Sequence, residues 1–248
     1  MRLLVLNPNT TASMTAKIGA AARAAAAPGT EIVAANPAMG PASIEGYYDE
    51  ALCLPGLLDE VARFERAGID GTVIACFDDT GLDAARTLAG GPVVGICEAA
   101  LHLAAPLGAR VSVVTTLTRS VPAIEHLVRR YGMAGRCRVR AAEVAVLELE
   151  DAGSNAADRI RSEIAAAIAH DRAEVVVLGC AGMTDLTRRF SREFGLPVID
   201  GVAAAVKLAE SLVALGLRTS KIGGYAAPLP KHYAGELARF APAGRDGG

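Results

Sequence analysis

The chain has 248 residues, 52% of them apolar and 21% charged, with 25 Lys and Arg against 27 Asp and Glu. That is enough apolar material for one large α/β domain or for two lobes of similar design. A net charge of −2 offers no basic field to nucleic acid or an anionic membrane surface, and no apolar run is long enough to span a bilayer.

Arg2-Leu3-Leu4-Val5-Leu6 reads as a strand running into the turn Asn7-Pro8-Asn9-Thr10-Thr11. The run is too short for a signal-peptide core and the turn interrupts it, so the cytoplasm is the expected location. An alanine-rich helix is predicted from Met14 to Ala27, capped near Ser13 and stopped by Pro28-Gly29. A second strand spans Glu31 to Ala35. A long loop follows from Asn36 to Ser43, and loops of that length often carry function. The next helix is placed from Leu57 to Ala67. Val73-Ile74-Ala75 is then a strand ending in Cys76, with a helical segment at Asp83 to Leu88.

Downstream, helix Glu98 to Ala105 leads to strand Arg110 to Val114, helix Val121 to Tyr131 and strand Val139 to Val144. Helix Ala156 to His170 precedes a strand from Val175 to Leu178, which ends near Cys180. Helix Val202 to Leu215 closes this half. Lys221 to Ala226 is read as a last strand returning to the first lobe, and the end from Ala243 onward as disordered. Strands alternating with helices predict parallel sheets covered on both faces. The expected division is a first lobe of residues 1–96 and 217–248 and a second of 97–216.

Two stretches repeat one grammar. Thr72 to Asp83 places Cys76 at a strand end; Glu174 to Leu186 does the same with Cys180, 104 residues later. Gly91-Pro92-Val93-Val94-Gly95 and Leu196-Pro197-Val198-Ile199-Asp200-Gly201 follow in the same register, their prolines 105 residues apart. Thr115-Thr116-Leu117-Thr118 takes the place in the second half that Asn7-Pro8-Asn9-Thr10 takes in the first. This is a duplicated half-chain with one thiol in each half. Carboxyl ends of strands in open α/β sheets are where ligands collect.

Of five cysteines, Cys53 and Cys97 have apolar neighbours and read as small buried hydrophobes, and Cys137 has no evident role. The odd count and the lack of C-x-x-C or His-rich spacing argue against a disulfide framework or a zinc site. Lys17, Lys207, Lys221 and Lys231 sit in no Schiff-base setting, which argues against pyridoxal phosphate. No P-loop or dinucleotide fingerprint occurs, and the four histidines carry no motif.

Two thiols facing each other across a pseudo-two-fold cleft suit inversion at a carbon. One takes a proton from one face and the other returns a proton to the opposite face. A modest pKa shift would place thiol and thiolate together near neutral pH, and helix N-termini after Cys76 and Cys180 would favour the thiolate. Asn9, Thr116, Thr118, Thr184 and main-chain N–H groups near Gly182 are candidate donors to the developing negative charge. Asp78 and Asp79 read as a helix-start pair rather than catalysts, because carboxylates beside Cys76 oppose its ionisation. Phe77 suits packing against a flat ring. Ser43 fits a loop turn as well as a contact, and Met183 fits packing better than contact.

N-P-N-T, P-A-S-I-E-G, A-C-F-D-D-T-G-L and G-C-A-G-M-T-D-L occur in the order seen in the aspartate/glutamate/hydantoin racemase superfamily. Phe77 and the paired aspartates resemble the hydantoin and allantoin racemase branch; the C-N-T stretch of the amino-acid racemases is absent. The resemblance covers the chain to about Ala227. It implies two α/β lobes, no cofactor, an oligomer, and Cys76 and Cys180 as the acid/base pair. It also implies substrate contacts from Asn9, Ser43, Ile44, Phe77, Thr116, Thr118, Gly182 and Met183. The expected activity is racemisation of a 5-substituted hydantoin or of allantoin. The alternatives are another activity of the superfamily (amino-acid racemase, decarboxylase or cis-trans isomerase) and a two-lobed small-molecule binding protein.

Overall fold

The structure, a computed structural model, describes residues 1–151 and 153–242. The first parallel sheet holds β1 (Arg2–Leu6), β2 (Glu31–Ala35), β3 (Gly71–Ile74) and β4 (Val93–Gly95) in the order β2-β1-β3-β4. The second holds β5 (Val111–Thr115), β6 (Cys137–Ala141), β7 (Val175–Gly179) and β8 (Val198–Asp200) in the order β6-β5-β7-β8. The two orders are the same, so the repeat read from the cysteine and proline registers is a repeat of topology.

Alternate residues of the strands enter different cores, as a period of two requires. Leu3 and Val5 of β1 join a central cluster with Val113 and Val177 of the second sheet, while Leu4 and Leu6 face an outer cluster. Helices α1 (Ala12–Ala25), α4 (Ile96–Ala104) and α8 (Gly201–Ala214) contribute Ile18, Leu101 and Val206 to the central cluster. They form the layer between the sheets. The outer face of the first sheet is covered by α2 (Tyr47–Arg66) and α3 (Leu82–Leu88); that of the second packs α6 (Ala156–Ala166) and α7 (Thr187–Phe194). Helix α5 (Val121–Arg130) sends Ile124 and Val128 inward to the central cluster. Strands buried on both faces explain why β1 and β7 read as continuous apolar runs.

Three sequence expectations are corrected. Helix α2 begins at Tyr47, ten residues before the predicted Leu57, and carries Pro55 in its interior. Proline and glycine at 55–56 signal a break, but Gly56 lets Pro37 and Met39 of the preceding loop lie directly on the helix. Tertiary packing wins there. Lys221 to Ala226 forms no strand; it holds a single 3₁₀ turn, Gly223–Tyr225, entered through Gly223 at φ 71°. A left-handed residue cannot continue an extended strand. The segment lies against α3 and the loop before β4, where Thr219 Oγ1 donates to Gly91 O at 2.6 Å and Lys221 Nζ to Arg86 O at 2.6 Å. Finally, α6 stops at Ala166 in a widened turn, Ala167–Asp171, that runs into left-handed Arg172. The expectation for residues 243–248 lies outside the described residues.

Candidate active site

Register places the two cysteines. Leu6 of β1 pairs with Ile74 of β3, so the turn after β1 lies beside the Ala75-Cys76 segment. In the second sheet Thr115 of β5 pairs with Gly179 of β7, and Thr116 lies beside Cys180. Both are the inner strand pairs of their sheets, where the strand order reverses direction and a crevice opens at the carboxyl ends. One cavity of about 40 Å³ joins the two crevices. It is lined from the first lobe by Asn7, Asn9, Ile44, Cys76, Phe77 and Asp78, and from the second by Thr115, Thr116, Ser120, Val146 and Cys180, among others.

The turn after β1 is fixed by its own side chains. Asn7 Nδ2 donates to Asn9 Oδ1 at 2.8 Å and to Thr15 Oγ1 at 3.0 Å, while Asn9 Oδ1 also accepts from the Thr11 amide at 2.9 Å. The rest of the two side chains is used within the turn as well, Asn7 Oδ1 accepting the Asn9 amide at 3.3 Å and Asn9 Nδ2 reaching Met14 Sδ at 3.3 Å. Cys76 is half-buried. Thr80 Oγ1 donates to its Sγ at 3.6 Å, and the Asp78 amide donates to it as well. Cys180, also half-buried, heads the 3₁₀ turn Ala181–Leu186 and receives the Gly182 amide on its sulfur. A Cβ on Gly182 would press on Leu149, so glycine lets that amide reach the thiol.

Burial dominates both thiols. It pushes Cys76 well above the ordinary thiol value, with the charge of Asp78 adding to the rise and the Thr80 hydroxyl opposing it. Burial pushes Cys180 up to about 11, opposed by the Gly182 amide. A main-chain amide lowers each thiol, that of Asp78 at Cys76 and that of Gly182 at Cys180, but only Cys180 is followed directly by a helical turn. After Cys76 the chain makes a turn, with Asp79 at φ 47°, and α3 starts six residues on at Leu82. The carboxyl of Asp78 rises to about 7 through burial and the nearby charges of Glu50 and Asp79, and no group lowers it.

Of the residues expected at the site, Asn9, Ile44, Phe77, Cys76, Thr116 and Cys180 meet in the cavity lining. Four stand elsewhere. Ser43 is half-exposed beside Ile44. Thr118 is exposed, its hydroxyl and amide both given to Glu143. Gly182 stands behind Cys180, and Met183 is fully buried with Phe190 in the outer core of the second sheet. Sequence reasoning missed Asn7, Ser120 and Val146 and read Asp78 as a helix-start residue. Asn7 had a signal, since its counterpart Thr115 ends the matching strand. Val146 had none, opening a short 3₁₀ turn, Val146–Glu150, held by Glu45, whose Oε1 accepts the Val146 amide at 2.7 Å. Among the described residues no three His, Cys, Asp or Glu side chains gather to hold a metal ion, and no Lys, Arg or His lines the cavity.

The Asp/Glu/Hydantoin racemase family model matches residues 3–209. The chain belongs to that family. Within the family it is 50% identical over 236 residues to the hydantoin racemase of Rhizobium meliloti, covering 95% of this chain and 98% of the relative. Among solved structures, the allantoin racemase from Klebsiella pneumoniae superposes with a TM-score of 0.95 at 48% identity, covering 98% of this chain and all of the other. The allantoin racemase from Pseudomonas fluorescens gives 0.90 at 46% identity, covering 95% of this chain and all of the other. With such relatives across nearly its whole length, this family member is an isomerase of the racemase type.

Proposed function

We propose that the chain inverts the configuration at C5 of a 5-substituted hydantoin or of allantoin, with Cys76 and Cys180 as the acid/base pair and no cofactor. The reading is carried by one observation: a thiol from each lobe lines the same cavity, whose walls are amide, hydroxyl, apolar and acidic, with no cationic side chain among them. A free amino acid or a malonate would bring a carboxylate into that cavity and find no cation to pair with. A hydantoin brings a neutral ring with carbonyl acceptors and N–H donors, which the Asn9, Thr116 and Ser120 side chains can match.

The C5 proton lies beside a ring carbonyl, so its removal gives an enolate spread over the amide-rich ring. One cysteine, as thiolate, takes that proton; the other, as thiol, donates its proton to the opposite face. The C–H bond broken on one side is replaced on the other, and the two sulfurs exchange protonation states. Amide and hydroxyl donors around the ring oxygen stabilise the intermediate. High thiol pKa values fit the donor role and make each thiolate a strong base once formed.

Cys76→Ser and Cys180→Ser are each expected to lower racemisation about 100-fold or more while the protein stays folded, read as decay of optical rotation from single enantiomers. Wild-type rates in both variants would refute the cysteine mechanism. A homo-oligomer in the cytoplasm belongs to the same proposal. Exposed Tyr47, Tyr48 and Leu52 on α2 and five free cysteines support it, and no described helix is long and apolar enough to cross a membrane. A monomer in sedimentation would remove the first half of it.

A further inference from the structure

We propose that Asp78 selects the C5 substituent, its carboxylate accepting the two parallel N–H bonds of a ureido group, so that allantoin is taken in preference to hydantoins with an apolar C5 chain. The inference rests on the hydantoin-type reading of the site and goes on to name which substituent fits it. Asp78 lines the cavity two residues after Cys76. Cys76 and Cys180 line the same cavity, so Asp78 borders the space in which the reacting carbon and its substituent must lie.

The surroundings leave this carboxylate without a donor. Asp79 beside it is fully engaged, accepting from the Cys97 amide at 3.0 Å, the Glu98 amide at 2.9 Å and Tyr131 Oη at 2.7 Å. Glu50, the other charge that Asp78 feels, has its Oε1 buried with no hydrogen-bond partner. Two acidic neighbours and no cation make this a wall of acceptors. Once a ligand shuts water out of the cavity an acceptor left unmatched is costly, and the ligand that relieves it carries N–H donors and no negative charge.

The ring alone does not use this wall fully, because the polar side chains of Asn9, Thr116 and Ser120 also line the cavity and can match its amides. A ureido substituent adds an N–H and an NH₂ on one side of a planar group. These form the same two-pronged fork that lets a guanidinium meet a carboxylate. An isobutyl chain in the same place would leave Asp78 facing hydrocarbon. Sites built to hydrogen-bond a polar group reject analogues that lack it far more strongly than apolar pockets discriminate by size.

The test measures kcat and KM for single enantiomers of allantoin and of 5-isobutylhydantoin by optical rotation, with wild type, Asp78→Asn and Asp78→Glu. The wild type is expected to favour allantoin in kcat/KM. Asn presents an NH₂ that opposes the ureido donors, so Asp78→Asn should lower the allantoin-to-isobutyl ratio at least tenfold, mostly through KM for allantoin. Asp78→Glu, which keeps a carboxylate, should recover part of that ratio. Any effect on the thiols themselves is common to both substrates and cancels in the ratio. A wild type without preference for allantoin overturns the inference, whatever the variants do. So does an Asp78→Asn protein that shifts both substrates by the same factor. If the wild type racemised neither compound, the hydantoin-type reading itself would be what fails.

Discussion

Asp78 also makes a prediction about stability. Its carboxyl is raised to about 7 in the folded chain, against an ordinary value near 3.9 in an unfolded one. The folded state therefore binds this proton more tightly. The stability it contributes is complete below about pH 4 and is lost as pH climbs through about 7. Asp78→Asn removes the ionisation and with it the loss. The variant should melt close to wild type at pH 4 and several degrees above it at pH 8, where the linkage amounts to at most about 4 kcal/mol. Thermal melts at the two pH values check this, and an equal difference at both would show that the charge is not what matters. At this scale the sequence was informative about the thiols, because a strand end followed by a polar turn is a local pattern. It was uninformative about Asp78, since exposure to a cavity depends on what the other lobe places opposite.

The two halves start their fourth helix differently. Helix α8 is capped by its own Asp200, whose side chain accepts from the Val202 amide at 2.9 Å and the Ala203 amide at 3.2 Å. The matching position before α4 is Gly95, which has no side chain to offer. Asp79 reaches over from the turn after Cys76 and accepts from the equivalent two amides, Cys97 and Glu98. A Cβ on Gly95 would collide with that carboxylate. Asp79→Ala should cost about 1–2 kcal/mol, the range of a lost N-cap, and Gly95→Ala should cost stability by displacing the same carboxylate. Denaturant unfolding of both variants checks this; a neutral Gly95→Ala would remove the close-approach argument. The paired aspartates were thus rightly read as helix-start residues in one case, yet the helix served is α4 and not the nearby α3. Spacing along the chain identifies a cap only when cap and helix are neighbours. The same limit explains α2, where Pro55 pointed to a break that the packing of the 37–39 loop on Gly56 overrides.

At the scale of the molecule, the duplicated registers were enough to predict two like sheets, because a repeat in sequence is a repeat in strand order. The contacts across the cleft were not legible, since they join residues with no common pattern. Glu45 Oε1 accepts the Val146 amide at 2.7 Å, joining the segments that bring Ile44 and Val146 to the cavity, and Lys17 of α1 reaches Asp185 at 3.2 Å and Leu149 O at 3.2 Å. Glu45→Ala removes a charge-assisted bond worth about 1.5–3 kcal/mol. It should raise KM roughly tenfold through a less well-formed cavity wall, with a smaller change in kcat; steady-state kinetics on either hydantoin decides it, and an unchanged KM would sever Glu45 from the site.

The borrowed cap on α4 bears on how a substrate gets in. The turn that carries Cys76 is tied through Asp79 to α4 and to Tyr131 at the end of α5, so swinging it outward would unfasten a helix start and a tyrosine anchor together. Ile44 and Val146 also line the cavity, and Glu45 Oε1 joins their two segments through the Val146 amide. The first sulfur and its acidic companion therefore sit on a turn pinned at two points, a firm wall against which any incoming molecule must settle.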